Sequence, residues 1–169
     1  MSSPFLSSMP ADSRLQSSSR SADFHDSWSV HPADPGITTF AALQAVFMRS
    51  PRWIANAMAL RNKVVSKLGL KDLGGFDKLN PEKPLSAYRI GDRLGIFTLL
   101  SVSEEEIVMG DDDKHLQVQV SVYRDLQQNL VTVSTVVHVK NWFGHLYMLP
   151  VKPAHRRIVP ATLRVLTRQ

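Results

Sequence analysis

The chain has 169 residues, 43% hydrophobic and 21% charged, the proportions of a soluble globular protein long enough to bury one sizeable core. It has no cysteine, which excludes a disulfide scaffold, a cysteine nucleophile, an iron–sulfur cluster and thiolate zinc ligation. The net charge of +5, from 20 Lys and Arg against 15 Asp and Glu, is concentrated in two stretches, Arg49 to Lys71 and Lys140 to Gln169, each with six basic residues and no acidic one. Such stretches form solvated cationic helix faces or attract anionic partners, and no nucleic-acid motif accompanies them. No apolar run reaches the roughly 18 residues of a spanning helix and no signal-like stretch opens the chain, so a cytoplasmic protein without an integral membrane segment is expected.

Residues 1–21 hold nine serines, two prolines and three charged residues without any period, and they predict a flexible, disordered tail. From Asp23 to Val30 the chain alternates, with Phe24, Trp28 and Val30 on one side and His25, Ser27 and Ser29 on the other, as in a half-buried strand. Asp26 is the exception, a carboxylate in the apolar register. After the turn at Asp34, Pro35 and Gly36, Thr38 or Thr39 can cap a helix that buries Phe40, Leu43, Val46 and Phe47. Ser50 and Pro51 start a second helix, running to about Leu68 with Trp53, Ala57, Leu60, Val64 and Leu68 as its expected buried stripe.

Six glycines and prolines between residues 70 and 95 predict a loop with one short strand near Tyr88. Four strands should follow as an antiparallel meander: Ile96 to Val102, Glu106 to Met109, His115 to Arg124, and Leu130 to Val139. In the two long ones, Leu116, Val118, Val120 and Val122 match Val131, Val133, Thr135, Val137 and Val139, so one face is expected to be covered and the other wet. The cover is the segment Trp142 to Leu166, where Tyr147, Val151, Ala154, Ile158, Ala161 and Val165 form a helical seam behind Asn141 as N-cap. Pro150, Pro153 and Pro160 predict a kinked or divided helix, beneath which a cavity can open.

Strand, two helices, antiparallel strands, long C-terminal helix is the order of the START-like, or helix-grip, superfamily. Asp111 to Leu116 (DDDKHL), Thr135 to Asn141 (TVVHVKN) and Gly144 to Ile158 (GHLYMLPVKPAHRRI) resemble the signature of a bacterial family, domain of unknown function 2867, over residues 22 to 166. The resemblance implies an α+β fold, a curved antiparallel sheet wrapped around the C-terminal helix in a single domain over 22–169, with an internal site for a lipid-like or aromatic molecule. It also implies, as a partner, a separate dehydrogenase-like protein, because this chain has no Gly-x-Gly-x-x-Gly of its own.

No nucleophile elbow, phosphate loop or apolar carboxylate pair occurs, so the catalytic residues stay unknown and binding is favoured over catalysis. The expected ligand is a small apolar molecule lined by Val118, Val120, Val133, Thr135, Tyr147, Val151 and His155, with Trp53 and Trp142 at the rim. No metal and no cofactor is expected: the aspartates before His115 lack the glycine and distal glutamate of a calcium loop. His115 is expected at a turn and His138 on the wet side. His155, beside the seam, is either a satisfied structural histidine or a polar pocket group. The alternatives are an enzyme, or an accessory subunit of a dehydrogenase-like enzyme, in which His155 and Tyr147 serve as acid and base on a carbonyl or ester, and a basic module for an acidic partner or an anionic membrane surface.

Overall fold

The structure, a computed structural model, describes residues 2–66, 80 and 82–168. Seven antiparallel strands, β1 (Phe5–Leu6), β2 (Phe24–Val30), β3 (Arg93–Leu94), β4 (Phe97–Val102), β5 (Glu106–Asp112), β6 (Leu116–Asp125) and β7 (Leu130–Val139), form one sheet in the order β1-β2-β7-β6-β5-β4-β3. The helices are α1 (Gln16–Ser19), α2 (Thr39–Met48), α3 (Arg52–Ser66) and α4 (Trp142–Leu163). The fold is therefore α+β, with the meander from β4 to β7 as expected and β2 joined to its far side.

The register explains the core. Trp28, Val133, Val122 and Ile107 stand side by side across β2, β7, β6 and β5, and the next row is Asp26, Thr135, Val120 and Met109. Because side chains alternate between faces, these rows share one face. Onto it pack Leu43, Val46 and Phe47 of α2 with Val159 and Leu163 of α4, while Met148 of α4 packs on Leu116 and Val137. Thr38 caps α2 by accepting from Ala41 N, and Asn141 caps α4 by accepting from Gly144 N. Gly144 is needed for proximity: a Cβ there would stand 2.7 Å from the carbonyl oxygen of His115 and 2.8 Å from Val139.

Several expectations are corrected. The helix α4 is one continuous element through Pro150, Pro153 and Pro160, neither divided nor interrupted. Proline removes the donor to the carbonyl four residues earlier, and here those carbonyls belong to Leu146, Leu149 and Arg156, all exposed, where water can replace the donor. The stripe assigned to α3 is rotated: Trp53 is 48% and Leu60 64% exposed, whereas Ile54 is fully buried. Ile54, Met58 and Arg61, at helical spacing, turn toward the rest of the chain; the Val64 side chain and Leu68 lie outside the described residues. The short strand is Arg93–Leu94 rather than near Tyr88, because Gly91 and Gly95, with φ of 96° and 59°, make the turns that fold it onto Phe97 and Thr98.

The largest correction concerns the serine-rich segment, expected to be a disordered tail. Over residues 2–21 it lies across the second sheet face, which is consequently not wet. Phe5 and Leu6 pair with Ser29 and Trp28, and Leu15, 2% exposed, packs on Val108 and Val136. Hydroxyls make the remaining joins: Ser7 to Ser29 at 2.7 Å, Ser29 to Thr132 at 2.7 Å, and Ser18 to Gln119 at 2.7 Å and His138 at 3.0 Å. The alternation is real, but its polar half meets hydroxyls instead of water.

Two buried charges pin this arrangement. Glu106, 3% exposed, accepts from Ser13 Oγ at 2.6 Å, Arg14 N at 2.9 Å and Ser121 Oγ at 2.5 Å, so a carboxylate of β5 holds the N-terminal segment without a cation. Arg124, 2% exposed, donates to the carbonyls of Ile37, Asp125, Leu130 and Pro35 and to Asn129 Oδ1, tying the entry to α2 to the β6–β7 hairpin. Burial lowers its pKa from the ordinary value, yet an arginine remains charged at any physiological pH.

Arg124→Ala should therefore lower unfolding free energy by about 3 kcal/mol, since several buried acceptors lose a charged donor at once, and Arg124→Lys should recover only part of it because an ammonium cannot fork. Urea titration followed by far-UV circular dichroism checks both. Glu106→Ala should act differently, releasing residues 2–21 before the sheet unfolds. Limited proteolysis is expected to trim the variant near Arg14 while the remaining sheet keeps its amide protection.

Candidate functional site

Asp26, the residue that broke the alternation of β2, is brought by its register onto the apolar face. It lies there because α4 supplies a partner: His155 Nε2 donates to Asp26 Oδ1 at 3.0 Å, and Trp28 Nε1 donates to Asp26 Oδ2 at 3.1 Å. A carboxylate accepts, so Nε2 carries the hydrogen, which leaves Nδ1 an acceptor in the neutral ring. The Asp26 side chain is 9% exposed and that of His155 20%, so the pair sits at the border of the core. The Phe24 ring meets the imidazole edge-on, with centroids 5.5 Å apart.

Thr135 is the direct ladder neighbour of Asp26 on one side and Val120 on the other. It is buried, and no described residue forms a hydrogen bond with its hydroxyl. Val118 and Val120, on the same face, are only half-buried. Val120 packs with the core under α2 and Val118 with the cluster under the start of α4. The inner face is thus least covered along the seam between the two helices, where Asp26, Thr135 and His155 supply polar groups.

Of the residues expected to line a site, Val118, Val120, Thr135 and His155 meet here. Val133 packs in the core beside Val159 and Leu163, and Tyr147 and Val151 pack beside Met148. Trp53 and Trp142 are exposed, at 48% and 75%. The Tyr147 hydroxyl accepts from Arg61 Nε at 2.9 Å, with the guanidinium 5.6 Å from the ring centroid, which ties α3 to α4. Tyr147 and His155 are two helical turns apart, about 12 Å of rise. They do not converge as acid and base on one atom.

His115 and His138 have structural partners. His115 Nδ1 meets Asn141 Oδ1 at 3.1 Å, its backbone N–H donates to Asp113 Oδ1 at 2.7 Å, and its ring stacks 4.8 Å from Phe143, so it fixes the cap of α4. His138 holds Ser18. Among the described residues no three His, Asp or Glu side chains are grouped as metal ligands, and no helix is long and apolar enough to cross a membrane. A surface hollow of about 390 Å³ lies elsewhere, between Pro35, Ala45, Arg49 and Leu166 at the far end of the core. Asp26 and Arg124 are the residues that sequence reasoning passed over. Each stands in the apolar register of a strand, and that misfit is the signal that finds both.

No curated protein and no solved structure matches the chain. Residues 18–162 match a family described as a protein of unknown function (DUF2867), a span that includes α4 with its histidine, the cap at Asn141 and the whole β2 to β7 sheet. With most of its length so matched, the chain belongs to the DUF2867 family.

Proposed function

We propose that the protein binds a small apolar or aromatic molecule on the inner sheet face, over Val118 and Val120 and beside the Asp26–His155 pair, in a helix-grip, START-like arrangement of sheet and C-terminal helix. The observation that carries the reading is the juxtaposition of Thr135, whose hydroxyl bonds no described residue, with half-covered valines and a histidine whose orientation a carboxylate holds. Apolar surface left half-covered favours an apolar guest, because its burial is worth roughly 25 cal/mol per Å². The few convergent polar groups would orient it: the hydroxyl of Thr135 can donate to a carbonyl or accept from a hydroxyl, and His155 Nδ1 accepts. The proposed site lies between the cluster packed under α2, to which Val120 belongs, and the cluster under the start of α4, to which Val118 belongs.

Native mass spectrometry of protein purified from its own host, followed by denaturing extraction, should find an apolar small molecule in near-stoichiometric amount. Independently, the neutral probe N-phenyl-1-naphthylamine should bind saturably. Val120→Trp, which fills the seam, should weaken that binding at least about tenfold, roughly 1.4 kcal/mol, whereas His155→Gln should leave an apolar probe's affinity within about threefold. A clean apo mass together with non-saturable probe uptake would overturn the reading.

A further inference from the structure

The helix α4 carries a second apolar row on the side away from the sheet. Trp142 is 75% exposed, Leu146 54% and Leu149 67%, and their spacing of four and three residues keeps them within about 60° of one another around the helix. Pro150, Pro153 and Ala154 extend this exposed surface, and Arg156 and Arg157, also exposed, close it. Gly144 and Met148, which α4 buries in the same turns, lie roughly 120° or more around the helix from Trp142. The outer row is therefore not the edge of the core. It is an apolar surface whose three large side chains stand mostly exposed among the described residues.

Charge narrows what can cover it. From residue 140 to 169 there are six basic residues and no acidic one, so a second copy of the same face would bring cation to cation, and an anionic surface is the complement. The prolines narrow it further. The carbonyls of Leu146, Leu149 and Arg156 have lost their helical donors to Pro150, Pro153 and Pro160. Sealing such carbonyls in a dry protein interface would leave acceptors unsatisfied, while the headgroup zone of a bilayer stays hydrated. A tryptophan and leucines beside arginines are also the side chains that settle at that boundary.

We propose that this face of α4 docks on an anionic phospholipid bilayer, the helix lying in the plane of the headgroups with Trp142, Leu146 and Leu149 inserted and Arg156 and Arg157 against lipid phosphates. Docking of this kind leaves the opposite side of the helix, with Met148 and His155, on the sheet. It concerns a different surface from the inner site and stands independently of it.

The test is co-sedimentation of the full chain with phosphatidylcholine vesicles and with vesicles containing 30% phosphatidylglycerol. The wild type should bind the anionic vesicles at least tenfold more strongly and lose binding as salt rises. Both Leu146→Ser with Leu149→Ser and Arg156→Gln with Arg157→Gln should reduce partitioning at least tenfold, with melting temperatures close to the wild type because neither pair faces the core. Should the leucine variant fail to fold, brominated lipid gives a second measurement: it should quench tryptophan emission in the wild type and lose most of that effect in Trp142→Phe. Absence of binding to anionic vesicles, or binding insensitive to both variants, would overturn the proposal. So would a wild-type dimer that the leucine changes make monomeric, or capture by polyglutamate with no vesicle binding, which assign the face to a second copy or an acidic protein.

Discussion

The strand β7 lies between β2 and β6 and is buried from Val131 to Val137 on both of its faces. A central strand of an antiparallel sheet can leave one face to water; this one does not, so two covers of different chemistry must reach it. On the aliphatic side the cover is α2 and α4, and stabilisation comes from removing valine, leucine and isoleucine from water. On the hydroxyl side, Ser134 is paired with Ser27 at 2.8 Å and Thr132 with Ser29, and the N-terminal segment lays Leu15 and further serines over them. There the buried hydroxyls are largely paired with one another, Ser101 Oγ being an exception, because leaving one unsatisfied costs more than its bond contributes.

The two buried charges follow from the same constraint. A seven-stranded sheet with covers on both faces needs them attached at defined points, and non-directional burial alone does not define where. Glu106 selects the position of Ser13 and Arg14 through the two donors they supply, and Arg124 selects the turn before α2 through the carbonyls of Pro35 and Ile37. Neither forms a direct salt bridge among the described residues, and both are buried, so they depend less on screening than an exposed pair such as Lys83 and Asp92. Their contribution is placement as much as stability.

How much of this could be read in the sequence varies with the physics involved. β6 and β7 were legible in full, because ten residues of strict alternation have one solution. The N-terminal segment was not: serine reads as solvated in any composition count, and a polar row on a strand looks the same whether water or another hydroxyl will face it. The stripe of α3 was read one position away, since Trp53 and Leu60 satisfy the helical period as well as Ile54 and Met58 do, and tertiary contacts such as that of Arg61 with Tyr147 select the rotation. For the candidate site, His155 was legible from its place beside the seam of α4. Its partner was visible only as a fault in β2, and joining the two required knowing that β2 lies next to β7 under α4, a contact 129 residues apart in the chain.

The prolines of α4 connect these threads. A helix that packed one face on a sheet and turned a charged face to water would need no explanation, but α4 is apolar toward the sheet and apolar again at Trp142, Leu146 and Leu149. Such two-sidedness ordinarily marks a helix buried all round. The freed carbonyls exclude that outcome, because Leu146, Leu149 and Arg156 keep acceptors that need water or a donor within reach. The inward side faces the complementary demand: at Asp26 a carboxylate inside an aliphatic sheet is tolerable only while His155 and Trp28 remain on its two oxygens. One helix therefore holds a largely buried polar contact against the sheet and an exposed apolar surface away from it. Its three prolines all free carbonyls of exposed residues, where water can serve them.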